Sequence, residues 1–165
     1  ESESEVREFF KRNVIGRLEK ERPDIRFKHV DLLEFLVEYL GEEQVLERSY
    51  QIEKDDGIAA IRKALKGMLH ETEIASRFVE KVDLEEQDIL LITGAGSVFP
   101  FIRTHTLLSN LHSVIKETVV LFFPGKYDQK ELRLFEMGSL ADKSGAKANY
   151  YRAQRLIGEL PIDDQ

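Results

Sequence analysis

The chain has 165 residues, of which 42% are hydrophobic and 33% are charged, and its formal net charge is −7. This length is sufficient for one sizeable core and short for two domains. The acidic balance disfavours sequence-independent nucleic-acid binding, which comes mostly from Lys and Arg contacts to phosphates, although a local basic patch is compatible with it. The absence of cysteine excludes disulfides, thiolate metal sites and cysteine nucleophiles. No apolar run approaches the roughly 20 residues of a membrane span, so we expect a cytoplasmic protein without membrane contact.

The first elements predicted are a helix and a strand. Apolar residues recur at three- and four-residue steps over residues 5–21, which predicts an amphipathic helix with Ser4 as its candidate N-cap. Apolar and polar side chains then alternate over residues 25–30, after the break at Pro23. That alternation predicts a half-buried strand.

Helices are predicted to fill the rest of the amino-terminal half. Asp31 is the expected N-cap of a short helix over residues 32–40. Residues 42–82 have helical spacing and predict two or three further helices, with breaks near Asp55–Gly57 and at His70. Residues 1–83 are therefore expected to be rich in helix.

The second half, residues 88–157, has the character of strands. Residues 88–93 and 118–123 are near-continuous apolar runs, typical of strands covered on both faces. A helical rhythm over residues 100–116 lies between them and predicts a βαβ unit with parallel pairing. One more strand is expected over residues 132–137. The sequence thus predicts a single α/β domain over residues 1–165, with a three-layer, mostly parallel sheet flanked by helices.

The loop after the first apolar run is the best candidate pocket. Gly94, Gly96 and Ser97 follow a predicted buried strand and precede a predicted helix, a place where ligands bind in parallel sheets. Phe99 stands where both the dinucleotide fingerprint and the Gly-x-Ser-x-Gly elbow would require glycine. A sharp turn alone would also explain the glycines, and we favour that structural explanation.

Charged residues of the crossover segment are the next candidates. Arg103 is a candidate for binding an anion, and His105 a candidate acid or base. His105 and His112 share a helix face, but they lack the four-residue step and the carboxylates of a zinc site. A structural or partner-contact role is the favoured alternative. Lys126 follows a glycine but belongs to no P-loop, because Tyr127 stands where Ser or Thr is required.

An aromatic and basic cluster occurs towards the carboxyl terminus. Its members are Tyr127, Tyr150, Tyr151, Arg152 and Arg155. Tyr and Arg are residue types that anchor protein interfaces, so a partner surface is one interpretation. Stacking on single-stranded nucleic acid and packing of the tyrosines against the sheet are the alternatives.

Several strings in this half occur together in one known family. They are Leu91–His105, Leu107–Leu111, Leu121–Asp128, Leu132–Phe135 and Asn149–Ala153. In this order and spacing the chain resembles the BrxB family, a component of bacterial BREX phage-defence systems. The family's usual opening strand is missing ahead of residue 5, so we expect that this chain lacks one strand of the full-length protein.

The resemblance has implications for fold and function. It implies a P-loop-NTPase/Rossmann-like topology without a Walker A motif, and membership in a system with a PglZ-like protein, a large BREX ATPase and a BREX methyltransferase. The leading hypothesis is a non-enzymatic adaptor that docks on the PglZ-like protein or the ATPase, with the methyltransferase as a third candidate partner. We expect no catalytic residue, no metal and no cofactor. The alternatives are a nucleotide- or nucleic-acid-binding regulatory domain of the same system, and hydrolysis with residues supplied by a partner.

Overall fold

The computed structural model describes residues 3–85, 88–123, 125–127 and 132–134. The chain divides into two compact units, Glu1–Phe123 and Pro124–Gln165. The expectation of a single domain over the whole chain therefore stays a prediction. No helix among the described residues has the length and apolarity that a bilayer crossing requires.

Helices make up most of the first unit. They are α1 Glu3–Phe10, a π-helical segment Lys11–Ile15, α2 Gly16–Glu21, α3 Leu32–Glu42, α4 Leu46–Asp56, α5 Ile58–Ala64, α6 Glu71–Val82 and α7 Thr104–Leu111. The three strands of this unit are β1 Phe27–Asp31, β2 Ile89–Thr93 and β3 Thr118–Leu121. In the second unit the described residues form β4 Gly125–Tyr127 and β5 Leu132–Leu134, which pair antiparallel.

The sheet of the first unit is parallel throughout, in the order β1-β2-β3. The helices α3 to α6 connect β1 to β2, and α7 connects β2 to β3, which confirms the expected βαβ unit with parallel pairing. The order of the three described strands follows chain order, so the reversal that creates the ligand crevice of doubly wound folds does not occur among them. The chain is thus an α/β protein with a parallel sheet and helices, and the P-loop-NTPase/Rossmann-like topology is not confirmed by the described strands.

One face of the sheet packs on the main core. Side chains of a strand alternate between faces, and those of Leu90 and Ile92 are fully buried among the helices that follow β1. Apolar side chains from α3, α6 and α7 complete this core. The largest fully buried side chains are Phe78, Leu32, Ile74, Leu90, Ile92, Leu107, Leu111 and Val98.

The opposite face is in contact with the amino-terminal helix. The ring of Phe10 lies 5.7 Å from that of His29 and 4.1 Å from that of Phe122, measured between centroids. Leu91, also on this face, is buried. The strongly amphipathic pattern of residues 5–21 therefore reflects one helical run packed on the sheet.

Local signals explain where several helices begin and end. The Asp31 carboxylate accepts hydrogen bonds from the amides of Leu33 and Glu34, which confirms it as the N-cap of α3. The helix α6 ends at Val82, and its C-cap residue Asp83 has a φ of 45°; the Lys28 ammonium donates to the carbonyls of Val82 and Asp83.

Two details of the predicted elements differ from the structure. The N-cap expected at Ser4 is wrong, because the helix already includes Glu3. The predicted helix over residues 100–116 is shorter, since α7 begins only at Thr104 and turns precede it. The predicted breaks near Asp55–Gly57 and at His70 are confirmed.

Candidate functional site

The carboxyl edge of the parallel sheet gathers polar side chains. β1 ends at Asp31 and β2 ends at Thr93, and these two residues are partners in the strand register. Since parallel strands end at the same edge, their side chains meet there. Both residues are buried.

Asp31 is the centre of this polar cluster, and its side chain is completely buried. Arg7 in α1 forms a bidentate pair with it, with Nε 2.6 Å from Oδ2 and Nη2 2.8 Å from Oδ1. The amides of Leu33 and Glu34 donate to Oδ1 at 3.0 and 3.2 Å, and the Thr93 hydroxyl donates to Oδ2 at 3.1 Å. The carboxylate thus accepts five hydrogen bonds. Because a carboxylate has roughly four lone-pair sites, at least one site is shared by two donors.

The charge state of Asp31 follows from these contacts. Burial raises the pKa of the Asp31 carboxyl, but hydrogen bonds from Arg7, the Glu34 amide and Thr93, together with the Arg7 charge, hold it below its ordinary value. The group is therefore an ionised anchor that joins α1, α3 and β2. Its oxygens are occupied by protein donors, which makes it unsuited to the work of a general base.

His29 extends the cluster along β1. Its Nε2 lies 2.9 Å from the Thr93 hydroxyl oxygen. That hydroxyl has one proton, which it donates to Asp31, so the hydroxyl oxygen accepts from the protonated Nε2 of His29. Burial lowers the pKa of His29. A neutral imidazole with its proton on Nε2 satisfies both observations.

Gly94 is required by the same cluster. Its φ is +77°, and a Cβ atom at this position would lie 3.0 Å from Asp31 Oδ1 and 3.1 Å from the Leu32 amide nitrogen. A larger residue would therefore be strained and would crowd the N-cap of α3. The structural explanation of this glycine accounts for its place in the sequence.

The loop that follows, residues 94–103, combines buried residues that anchor it in the core with residues exposed to solvent. Ala95, Val98 and Ile102 are buried, and the amide of Ile102 donates to the carbonyl of Val98 at 3.0 Å. Phe99 is 47% exposed and Arg103 is also exposed. Gly96 and Ser97 are half-buried. We call residues 94–103 the platform loop; its buried residues fix how Phe99 and Arg103 are presented.

Nothing in the described part of the chain places the other candidate side chains at this edge of the sheet. His105 lies in the first turn of α7, but its side chain falls outside the described part, and the exposed His112 follows the last turn. Lys126 and Tyr127 are described only as backbone of β4. Tyr150, Tyr151, Arg152 and Arg155 lie outside the described residues, so the proposed aromatic cluster stays a prediction.

Metal binding has no support in the part of the chain that is described. No group of three His, Asp or Glu side chains there is placed to hold a metal ion. Asp88, at the start of β2, is buried and accepts hydrogen bonds from Arg26 and from the Glu85 amide. These contacts lower the pKa of Asp88, with the Glu85 amide as the largest cause.

Sequence reasoning missed two groups of residues. One is the chain of contacts from Arg7 through Asp31 and Thr93 to His29, of which only the N-cap role of Asp31 was predicted. The other is a cleft that Arg103 lines together with Arg62, Lys66 and His70, which come from an earlier segment of the chain. The glycine at position 94 and the polar residues at the ends of two predicted strands were the available signals.

Comparison with known proteins is consistent across two independent approaches. The model of the family described as BREX protein BrxB matches residues 28–156. BREX protein BrxB of Bacillus cereus (strain H3081.97) is 36% identical over 143 residues, which are 84% of this chain and 70% of that protein. BREX protein BrxB of Escherichia coli O9:H4 (strain HS) is 35% identical over 156 residues, 94% of this chain and 72% of that protein. No solved structure matches. The chain belongs to the BrxB family of BREX proteins.

Proposed function

We propose that the protein is a non-enzymatic adaptor of a BREX antiphage defence complex that acts in the cytoplasm. Its docking partner is the PglZ-like protein or the large BREX ATPase, with the BREX methyltransferase as a third candidate. Membership in the BrxB family supports the assignment to BREX. The adaptor role rests on the chemistry of the platform loop.

The observation that carries the proposal is the exposed pair of Phe99 and Arg103 on an anchored loop. Aromatic and Arg side chains dominate the binding energy of protein interfaces. The platform loop holds both at the sheet edge, because Val98, just before Phe99, and Ile102, just before Arg103, are buried in the core. A partner would therefore meet a preformed surface and would lose little loop entropy on binding.

The polar cluster beneath the loop supports an adaptor rather than an enzyme. A carboxylate that acts as a general acid or base must exchange a proton with substrate, whereas Asp31 is completely buried and engaged by Arg7 and Thr93. The contacts of the cluster instead hold the loop and the amino-terminal helix in place.

Co-purification from cells that express the PglZ-like protein and the ATPase tests the proposal. We expect a stable complex with one of them, and we expect Phe99→Ala or Arg103→Ala to weaken it by roughly tenfold or more, as for interface anchors. Tyr151→Ala tests the second predicted surface in the same assay.

The matched control is Val114→Ala, since Val114 is an exposed apolar residue, 58% accessible, outside the platform loop. It should leave the complex unchanged. Absence of any complex with the wild-type protein, or equal losses for Phe99→Ala and Val114→Ala, would contradict the adaptor role of this loop.

A further inference from the structure

A cleft lies between the turn after α5 and the starts of α6 and α7. Its volume is about 310 Å³. Pro100–Arg103 of the platform loop form one wall, and Arg62, Lys66 and His70 line the other side. All of these residues belong to the first unit, so the cleft is built within one compact body.

The lining is basic although the chain is acidic. Arg62, Lys66, His70 and Arg103 line the cleft, and none of the residues described there is Asp or Glu. Arg62, Lys66 and Arg103 are exposed, so their cationic groups are accessible to a ligand. In a chain with a net charge of −7, this cleft is a local concentration of positive charge.

A second cleft, at the amino edge of the sheet, shows the contrast. Its lining includes Arg26, but also Asp88 and Glu85. The Arg26 guanidinium lies 2.8 Å from Asp88 Oδ1 and 3.2 Å from Glu85 Oε2. The described lining of the second cleft is therefore mixed in charge, whereas that of the basic cleft is cationic.

The backbone around the basic cleft adds to its positive potential. His70 and Arg103 are the N-cap residues of α6 and α7, and the side chain of neither makes a capping hydrogen bond. The first amides of a helix carry partial positive charge and lack intrahelical acceptors. The first turns of both helices line the cleft through Ile74 and Leu107. These helix starts reinforce the cationic side chains.

The floor of the cleft is apolar. Ile74, Ile102 and Leu107 are buried there, and Leu69 and Phe101 are half-buried at its walls. The volume is at the lower end of the roughly 300–1,000 Å³ of small-molecule pockets. A ligand that fits has a compact anionic group and a small apolar body.

We propose that this cleft binds a small phosphate ester of the size of a nucleoside monophosphate. Its phosphate contacts Arg62, Lys66 and Arg103 at the starts of α6 and α7, and its body packs against the apolar floor. Arg offers a planar fork of donors that suits phosphate oxygens, and Lys adds a point charge. The site is separate from the adaptor role, although Arg103 takes part in both.

The test is calorimetric titration of the 165-residue chain with AMP, with inorganic phosphate and with adenosine. AMP should bind most tightly, phosphate should bind more weakly and compete with it, and adenosine should bind more weakly than AMP. Arg62→Glu and Lys66→Glu should each weaken AMP binding by roughly tenfold or more, since each replaces a phosphate partner by a repelling charge. Both residues are exposed, so circular dichroism should show unchanged folding.

Lys63→Glu is the matched control. Lys63 neighbours Arg62 on α5 and is exposed, but it does not line the cleft. This variant changes the net charge of the chain by the same amount, so it should bind AMP as the wild type does. The amide resonances of Thr72 and Thr104, in the first turns of α6 and α7, should shift on addition of AMP.

The outcomes separate this site from the adaptor role. If AMP and phosphate produce no heat and no resonance shifts at several millimolar, or if Lys63→Glu weakens binding as much as Arg62→Glu, the proposal is overturned. The proposal is also overturned if short single-stranded DNA binds more tightly than AMP and if Arg62→Glu and Lys63→Glu weaken DNA binding equally. That result would indicate delocalised attraction to a polyanion. Arg62→Glu should leave partner co-purification intact, so failure of one proposal is distinguishable from failure of the other.

Discussion

Replacing Arg7 by Met tests the polar cluster most directly. The substitution keeps an apolar stem in place and removes both donors from the completely buried Asp31 carboxylate. Removal of one partner of a buried ion pair typically costs about 3–5 kcal/mol. The three hydrogen bonds that remain, from the amides of Leu33 and Glu34 and the hydroxyl of Thr93, offset part of this loss. We therefore expect a decrease of about 3 kcal/mol in the free energy of unfolding.

The assay is urea denaturation at neutral pH, followed by far-UV circular dichroism. A loss of this size lowers the Tm of a chain of this length by about 6–12 °C. The control is Arg17→Met, because Arg17 pairs with Glu21 on the same helical run and its side chain is 70% exposed. That exposed pair should make no measurable difference.

A double variant locates the origin of the loss. Asp31→Asn removes the buried charge, so the double variant of Arg7→Met with Asp31→Asn should be less destabilised than the sum of the single variants. The reasoning is refuted if Arg7→Met is no more harmful than Arg17→Met, or if the two cluster substitutions are additive.

Three further predictions concern the glycine, the histidine and the core. Gly94→Ala should destabilise the fold by about 2 kcal/mol in urea denaturation, because the φ of Gly94 is positive and a Cβ atom would crowd Asp31. The control is Gly41→Ala, which should stabilise the fold by about 0.5–1 kcal/mol, because Gly41 lies in α3 and a Cβ atom there would meet no other atom within 4 Å. Equal effects of the two substitutions would contradict the role of Gly94. Burial lowers the pKa of His29, so the unfolded chain binds its proton more readily and the wild type should lose stability as the pH falls below about 6.5. His29→Gln should lack this decline in a pH series of denaturation curves but keep the loss below about pH 4, where the unfolded chain protonates Asp31 more readily than the folded one; a decline identical to that of the wild type would argue against His29 as its source. Phe78→Ala should lower the free energy of unfolding by about 3–5 kcal/mol in the same denaturation assay, since Phe78 is fully buried and its ring packs on that of Phe35. The control, Tyr50→Ala at a half-exposed position, should change the free energy of unfolding little. Similar losses for both would contradict the assignment of Phe78 to the core.

Much of the local structure could be predicted from the sequence. The parallel strands β2 and β3 were evident as apolar runs, the helix breaks were marked by Gly57 and the segment before His70, and the N-cap role of Asp31 followed from its position before an apolar helix. Each of these signals is local, since periodicity and capping act within one or two turns of chain. The π-helical segment was not predictable, because the three- and four-residue spacing of its neighbours does not distinguish it from an α-helix.

The candidate site could be predicted only in part. The loop at Gly94 was identified, but the reason for the glycine is the carboxylate of Asp31, which is 63 positions earlier in the chain. Arg7 lies in an amphipathic helix, where a charged residue ordinarily faces solvent, so its pairing across 24 positions left no local mark. The basic cleft is likewise assembled by tertiary packing of Arg62, Lys66 and Arg103.

The polar cluster at Asp31 also has a dynamic consequence. The Asp31 carboxylate contacts α1, the start of α3 and the end of β2. If α1 separated from the sheet, the buried Asp31 charge would lose its ion pair with Arg7. Helices at the margin of a fold commonly open on their own, at a small fraction of the global unfolding free energy. Here that motion is coupled to disruption of the sheet edge. The amides of α1 should therefore exchange with solvent together with those around Thr93, as members of one cooperative unit.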